Sequence, residues 1–507
     1  MWPLLLLPAV LPGPSPAADW PSPQRLAADV RFLSSELLKG RAPGTRGGRI
    51  AAEYIAAQFA LAGARPAGEK GTYFQPAPLV GLRVAPGAAL RVRGGSGASL
   101  ELAWGKDFVA LPETGGSGAV RFTAPLVFIG FGAPPAGGGG SLEGKMLVGF
   151  VGSPGRQRQA TSGERAAPPL HWTERFEAAR KAGAAGLLLI PVPGGPGCSW
   201  EAVRAAWGRE VLRLERRGEA GLRLGGWLSP KAGEGLFAGA GHSLGSLLEK
   251  ARQPGFRPLP LELEVQVAIS LKTRRFRSPN VVASIPGSSP ERRDETVLFL
   301  AHWDHLGAAS GGGRQVYEGA VDNATGAAVL LELARLWASL EKKPARTAVF
   351  VAVTAEEFGL LGSRWYLEHR AAPPGKTRLG FFFDSLLPAP VPASLALTGS
   401  REAGVWQQLH DAARRLRLEI DPGPAPGCGF CVSRRLFARQ GVPAYQVQIG
   451  ERLAGRPDAS GAVLLRAYFE GDYHRPSDRR RPEWDYAGLA RIVEFSFLAG
   501  RMAADLP

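Results

Sequence analysis

The chain has 507 residues, with 61 lysines and arginines against 45 aspartates and glutamates, a formal net charge of +16 and a sequence pI of about 10.2. That balance raises nucleic-acid binding, but the charge is mostly arginine, spread thinly through a Gly-, Ala- and Pro-rich chain. No basic stripe interleaved with aromatics is present, so a nucleic-acid partner is not expected, and attraction to an acidic cell envelope fits better.

Residues 1–18 open with the run Leu4 to Leu7 and end in Pro16-Ala17-Ala18. They read as a secretory signal cut near Ala18, although the usual positive start is missing, and so predict a secreted or periplasmic protein. No other apolar run is long enough to span a bilayer, so no integral membrane segment is expected. From about Val120 to Arg257 Gly- and Pro-rich loops separate short apolar strands such as Pro125 to Ile129 and Met146 to Phe150. The segment "RFEAARKAGAAGLLLI" then predicts a helix, a glycine turn and a strand. The run Gly137 to Gly140 is a surface loop rather than a phosphate cradle, because no Gly-Lys-Ser/Thr follows it. No repeats are evident, and the length suits one large domain interrupted by a smaller one.

Farther on, Val297 to Ala301 is a wholly apolar run of the kind buried on both faces of a sheet, and His302 follows it directly. A helix comes next, capped by Asn323 or Thr325, with Val329, Leu333, Leu336 and Leu340 at helical spacing to cover a sheet. Thr347 to Val353 is a second apolar run and delivers Glu356 and Glu357; Leu379 to Phe383 is a third and ends on Asp384. Strand, helix and strand in this order predict a three-layer α/β/α sandwich with a mostly parallel mixed sheet. In such sheets ligands gather beyond the carboxyl ends of the strands, which is where these residues fall.

Alone, each polar residue has a plain explanation: a loop histidine, a helix-capping acid, a turn aspartate. Together, His302, Asp304, Asp322, Glu356, Glu357, Asp384 and His474 are costly to bury unless something pairs with them. Two histidines and three or four carboxylates are too many for one closed tetrahedral zinc and suit two metals sharing a bridge, which points to hydrolysis by a metal-activated water.

The segments "AHWDHLG", "YEGAVDNATGAAVLLELAR", "VTAEEFGLLGS", "FFFDS" and "YHRPSD" occur in one order. With them the chain resembles the co-catalytic zinc peptidases of the aminopeptidase Y and glutamate carboxypeptidase type. "VRFLSSELLKGRAPGTRGGRIAAEYIAAQF" is similar to that family's opening helices, and "SPNVVASIPGS" to the strand entering its catalytic core. The resemblance implies two zinc ions and a peptide substrate. His302 and Asp384 would bind one ion, Glu357 and His474 the other, and Asp322 would bridge. Asp304 would hydrogen-bond His302 and fix its tautomer, Glu356 would be the general base, and Tyr473 would donate to the tetrahedral oxyanion. It further implies that 19–119 and 258–507 form the peptidase domain and that 120–257 is an inserted, β-rich protease-associated domain.

Cys428 and Cys431 form a C-x-x-C in a Gly/Pro loop, with Cys198 apart, and a local disulfide is the first expectation for an exported chain. Where relatives commonly have Ser-Asp before a phenylalanine, this chain has Ser433-Arg434-Arg435-Leu436-Phe437, so a basic residue at 434 is expected to alter recognition of the substrate's charged end or to point to solvent. The expected activity is that of an exported aminopeptidase. Carboxypeptidase or dipeptidase action, a glutaminyl cyclase and a non-catalytic binding protein on the same scaffold remain as alternatives; the oligomeric state is not encoded in any motif.

Overall fold

The computed structural model describes residues 21–94, 99–113, 118–131, 142–151, 172–192, 200–216, 221–308, 315–423 and 432–505. The leader 1–18, the glycine run 137–140 and all three cysteines lie outside them. Two compact units form, one from the chain up to Ala77 together with Ser278–Pro507, the other from Pro78–Arg277.

In the first unit the centre is a mixed sheet. Strands Thr347–Val353, Thr296–His302, Thr377–Phe383 and Ala444–Ile449 lie side by side and parallel. The end of the long strand Leu259–Ile285 adds antiparallel to Thr347–Val353, and Ser394–Gly399 adds antiparallel to Ala444–Ile449. Successive strand residues point to opposite faces, and the two faces have separate cores. Val297, Phe299, Ala301, Phe350, Phe381 and Phe383 join the helices Pro23–Leu33, Arg46–Leu61, Thr325–Ser339 and Ala487–Asp505 in one. Leu298, Leu300, Val351, Val353 and Phe382 join Tyr366 and Phe437, from the helices Leu361–His369 and Val432–Ala438, in the other. These are the three layers expected from the strand–helix–strand pattern.

Helix Thr325–Ser339 is buried almost all round, because it lies between the sheet and the helices Pro23–Leu33 and Ala487–Asp505. An acid on such a helix needs partners. Glu332 is fully buried and accepts from Arg25, from Arg335 and from the Ser22 amide. The helix has no side-chain cap at its first boundary residue, Ala324. Asn323 nevertheless does the capping work, its Oδ1 accepting from the Gly326 amide at 3.0 Å while its Nδ2 donates to the Phe383 carbonyl at 2.8 Å.

The second unit has its own core. Its sheet runs through Ser99–Ala103, Ala89–Gly94, the first half of Leu259–Ile285, Ala119–Phe128, Met146–Val151, Gly186–Pro191, Leu224–Leu228 and Phe108–Leu111. Helix Trp172–Lys181, the left-handed Gly183 and strand Gly186–Pro191 occupy the predicted helix–turn–strand. The unit is wider than the block 120–257 read from the sequence. The reason is pairing: the strands between Ala89 and Leu111 hydrogen-bond to Leu259–Ile285 and Leu224–Leu228.

Candidate active site

The parallel register brings the polar strand ends together. His302 lies opposite Val353, and Ala301 opposite Phe383, so the residues just after Val353 and Phe383 flank His302 at one edge of the sheet. Glu356, Glu357 and Asp384 are those residues. Asp322 comes from the wide turn Ala320–Ala324 before helix Thr325–Ser339, and His474 from the loop after helix Gly461–Gly471. Ala355, Ser385 and His474 all have positive φ, of 50°, 53° and 57°. Left-handed backbone at a non-glycine costs about 1–2 kcal/mol per residue, and such outliers are kept where surrounding structure holds them, often at functional sites.

The cluster has two lobes that share Asp322. In one, His302 Nε2 faces Asp322 Oδ1 at 3.2 Å and Asp384 Oδ1 at 3.4 Å. In the other, His474 Nε2 faces Asp322 Oδ2 at 3.1 Å and Glu357 Oε2 at 3.0 Å. Each oxygen of Asp322 thus serves a different imidazole, and each imidazole has one further carboxylate. Ligand atoms of His302, Asp322 and Glu357 all lie within 4.8 Å of one another.

The electrostatics call for positive charge. Burial would raise the Asp322 carboxyl, but contacts with His302 and His474 hold it well below the carboxylate range. Glu357, also raised by burial and by Asp322, is brought down to about 2 by His474 and His305. Burial disfavours the charged imidazoles, yet their carboxylate partners hold His302 and His474 well above the usual histidine value. His302 Nδ1 lies 3.1 Å from the Asp304 carbonyl, which can only accept, so Nδ1 carries a proton. In the neutral ring the Nε2 lone pair then meets two carboxylates and needs a proton or a cation between them. His474 Nε2 and Asp322 Oδ2 are buried and make no hydrogen bond despite their closeness. A donor set of imidazole lone pairs and carboxylates with such orphaned atoms fits divalent cations.

Glu356 stands apart from this pairing. Among the described residues its carboxylate accepts one bond, from Ser433 Oγ at 3.5 Å. Burial, followed by the nearby Asp384, Glu357 and Asp322, pushes it well above the ordinary range against the pull of His302. Tyr473 stacks on the His474 ring, with centroids 3.9 Å apart.

The Asp304 carboxylate takes a different contact from the one expected. Its Oδ1 is 4.0 Å from His302 Nδ1 and accepts instead from the Glu356 amide at 3.2 Å. The tight turn after His302 aims the backbone carbonyl at the imidazole and leaves the side chain to reach the neighbouring strand end. Burial raises the Asp304 carboxyl to about 7, with His302 pulling the other way.

Four site members were not assigned from sequence. His305, fully buried, places Nδ1 2.8 Å from Glu357 Oε1, a carboxylate oxygen that accepts. Asp478 accepts from the amides of Val321 and Asp322 at 2.9 and 3.0 Å and from the Tyr468 hydroxyl at 3.2 Å, tying the Asp322 turn to the His474 loop. Gln448 Nε2 donates to the carbonyls of Asp384 and Ser385. Arg41, wholly buried, donates to the carbonyls of Leu33, Trp303, Glu318 and Gly319. His305 and Asp478 sit in "AHWDHLG" and "YHRPSD", where the local crowding of polar residues was a usable signal; Arg41 had none.

Residues 280–497, which contain every member of both lobes, match the model of peptidase family M28. The chain is 35% identical over 122 residues to "Aminopeptidase NAALADL1" of Rattus norvegicus, covering 23% of this chain and 15% of the rat protein. It is 30% identical over 225 residues to "Probable glutamate carboxypeptidase AMP1" of Arabidopsis thaliana, covering 43% and 28%. The matched stretches therefore span less than a third of either relative. Among solved structures, the aminopeptidase from Aneurinibacillus sp. strain AM-1 superimposes with a TM-score of 0.53 at 18% identity, over 96% of this chain and 95% of that one, a likeness of fold. The two-lobed cluster thus lies wholly within the stretch that matches peptidase family M28.

Proposed function

We propose that the chain is an exported, zinc-dependent exopeptidase, most simply an aminopeptidase, holding two zinc ions. The observation that carries this is the division of Asp322: one oxygen faces His302, which also faces Asp384, and the other faces His474, which also faces Glu357. Those pairs would each hold one ion with Asp322 between. When bound, two such ions lower the pKa of a water and polarise the substrate carbonyl.

The protein's own groups supply the rest. Glu356 has no imidazole partner and a carboxyl held ready to take a proton. It accepts a proton from the attacking water as the new C–O bond forms, then passes it to the nitrogen as the C–N bond breaks. Asp304 fixes the Glu356 backbone through the bond to its amide, and its carbonyl fixes the tautomer of His302. Tyr473, held flat against His474, is the hydroxyl we assign to the developing oxyanion. The leader 1–18 would direct export, and the unit Pro78–Arg277 would contain the protease-associated insertion. Among the described residues no helix is long and apolar enough to cross a membrane.

Zinc analysis of the purified chain, run beside a panel of aminoacyl-nitroanilides, N-blocked peptides and dipeptides, tests the reading. Two zincs and cleavage of free-amine substrates are expected. Cleavage confined to N-blocked peptides makes it a carboxypeptidase. One zinc with cyclisation of N-terminal glutamine makes it a cyclase, and neither metal nor turnover makes it a binding protein.

A further inference from the structure

His305 has no part in the reaction just described, yet it is among the most tightly held side chains of the site. Its ring lies against the α-carbon of Gly319: a Cβ there would stand 2.5 Å from ring Cγ and 2.6 Å from Cδ2, so any side chain at 319 would displace the imidazole. Gly319 has a left-handed φ of 61°, which glycine alone adopts without strain. Arg41 holds the walls of this slot, donating to the carbonyls of Trp303 on one side and of Glu318 and Gly319 on the other. The result is a buried imidazole with a fixed orientation.

What it meets there is informative. His305 Nδ1 is 2.8 Å from Glu357 Oε1, while the other oxygen of Glu357, Oε2, faces His474 Nε2 at 3.0 Å. His305 Nε2 is buried and has no partner among the described residues. Orphaned buried N–H groups are rarer than under-satisfied acceptors, so the proton belongs on Nδ1 and the bare lone pair on Nε2. His305 is then a donor to Oε1. Among the described residues the other lobe has no imidazole in this role: Asp384 Oδ1, the atom facing His302, accepts from Ser385 Oγ at 3.1 Å.

We propose that His305 is a positioning residue for the His474 lobe, its Nδ1–H fixing Oε1 of Glu357 so that Oε2 is the atom presented beside His474 and Asp322. This rests on the two-ion reading above. Partners that orient a ligating carboxylate typically change metal affinity by about 10–100-fold when removed. The effect should be confined to one of two binding steps, because His305 touches Glu357 and lies 3.9 Å from only the shared Asp322 among the other carboxylates.

The test is competition for zinc between the purified full-length chain and a chromogenic chelator, with thermal unfolding as a check on folding. The wild type should show two binding steps. His305→Ala should weaken one by about 10–100-fold and leave the other unchanged. His305→Asn, whose amide nitrogen stands where Nδ1 does, should restore the weakened step; His305→Gln, whose amide reaches the Nε2 position, should not. If the alanine variant does not fold, the Asn/Gln pair decides by itself. Two unaltered steps in the alanine variant, equal loss from both, or equal rescue by Asn and Gln would each overturn the proposal while leaving the two-ion reading intact. A wild-type chain that takes up no zinc would overturn both.

Discussion

Replacing Glu356 by glutamine keeps the side-chain volume and removes a carboxylate that has no imidazole partner among the described residues. Its neighbours Asp322, Glu357 and Asp384 keep their contacts with His302 and His474, so zinc content should not change. The variant should also be no less stable. Burial and three nearby carboxylates already work against the Glu356 charge, and a neutral amide relieves that repulsion. Catalysis should suffer alone. Loss of a positioned general base typically costs about 10²–10⁴-fold, or about 3–5 kcal/mol of barrier. Zinc per chain, thermal midpoint and turnover of a leucine nitroanilide, measured on one preparation, separate these effects. Turnover within about ten-fold of wild type (about 1.4 kcal/mol) would refute the assignment. Loss of zinc together with turnover would instead make Glu356 a ligand. Glu357→Gln is the contrast, expected to lower zinc affinity first.

Three further outcomes follow from the same geometry. Arg41→Met removes the donor for four backbone carbonyls, and leaving such groups buried without partners should cost about 3–5 kcal/mol in thermal or urea unfolding; a loss below about 1 kcal/mol would show that the loops hold themselves. Glu332 would be raised by burial, but Arg25, the Ser22 amide and Arg335 hold its carboxyl below the usual 4.5. Its contribution is therefore complete above that pH and fades as pH falls through the lower folded value; Glu332→Gln should cost about 3 kcal/mol at neutral pH and flatten the acid limb of the stability profile, and an unchanged limb would contradict the pairing. Arg434 is half-buried on helix Val432–Ala438, next to the Ser433 that donates to Glu356. Arg434→Asp should shift preference from Glu- toward Lys-type aminoacyl substrates, and an unchanged order of Leu, Lys and Glu substrates would remove Arg434 from the pocket.

The sequence made the central strands readable because they are buried on both faces. Val297 to Ala301 and Ala348 to Val353 have no polar residue to confuse the pattern, so the charged residues that come after each mark its carboxyl end. Parallel pairing then turns a one-dimensional order into proximity, which is why a gathering of these residues at one sheet edge could be anticipated, while their sorting into two lobes was implied by the resemblance alone. What the sequence hid depends on distant contacts. Whether the second histidine of "AHWDHLG" turns inward is decided by the space at Gly319 and by Arg41, whose bond to the Trp303 carbonyl spans 262 positions. The Asp304 carboxylate was expected on His302 from the family resemblance; the structure gives that bond to the backbone carbonyl and sends the side chain to the Glu356 amide. The start of the second unit was hidden for another reason. Ala89–Gly94 is a short, half-buried strand, and only its pairing with Leu259–Ile285 reveals where it belongs.

Everything proposed for the chemistry depends on Asp322 standing between two cations. Crystals of the zinc-loaded chain, with anomalous diffraction recorded on both sides of the zinc absorption edge, test that most directly. Two anomalous peaks are predicted, one flanked by His302, Asp384 and Asp322 Oδ1, the other by His474, Glu357 and Asp322 Oδ2. A single peak at full zinc loading, or peaks that leave Asp322 without a metal contact, would contradict the account.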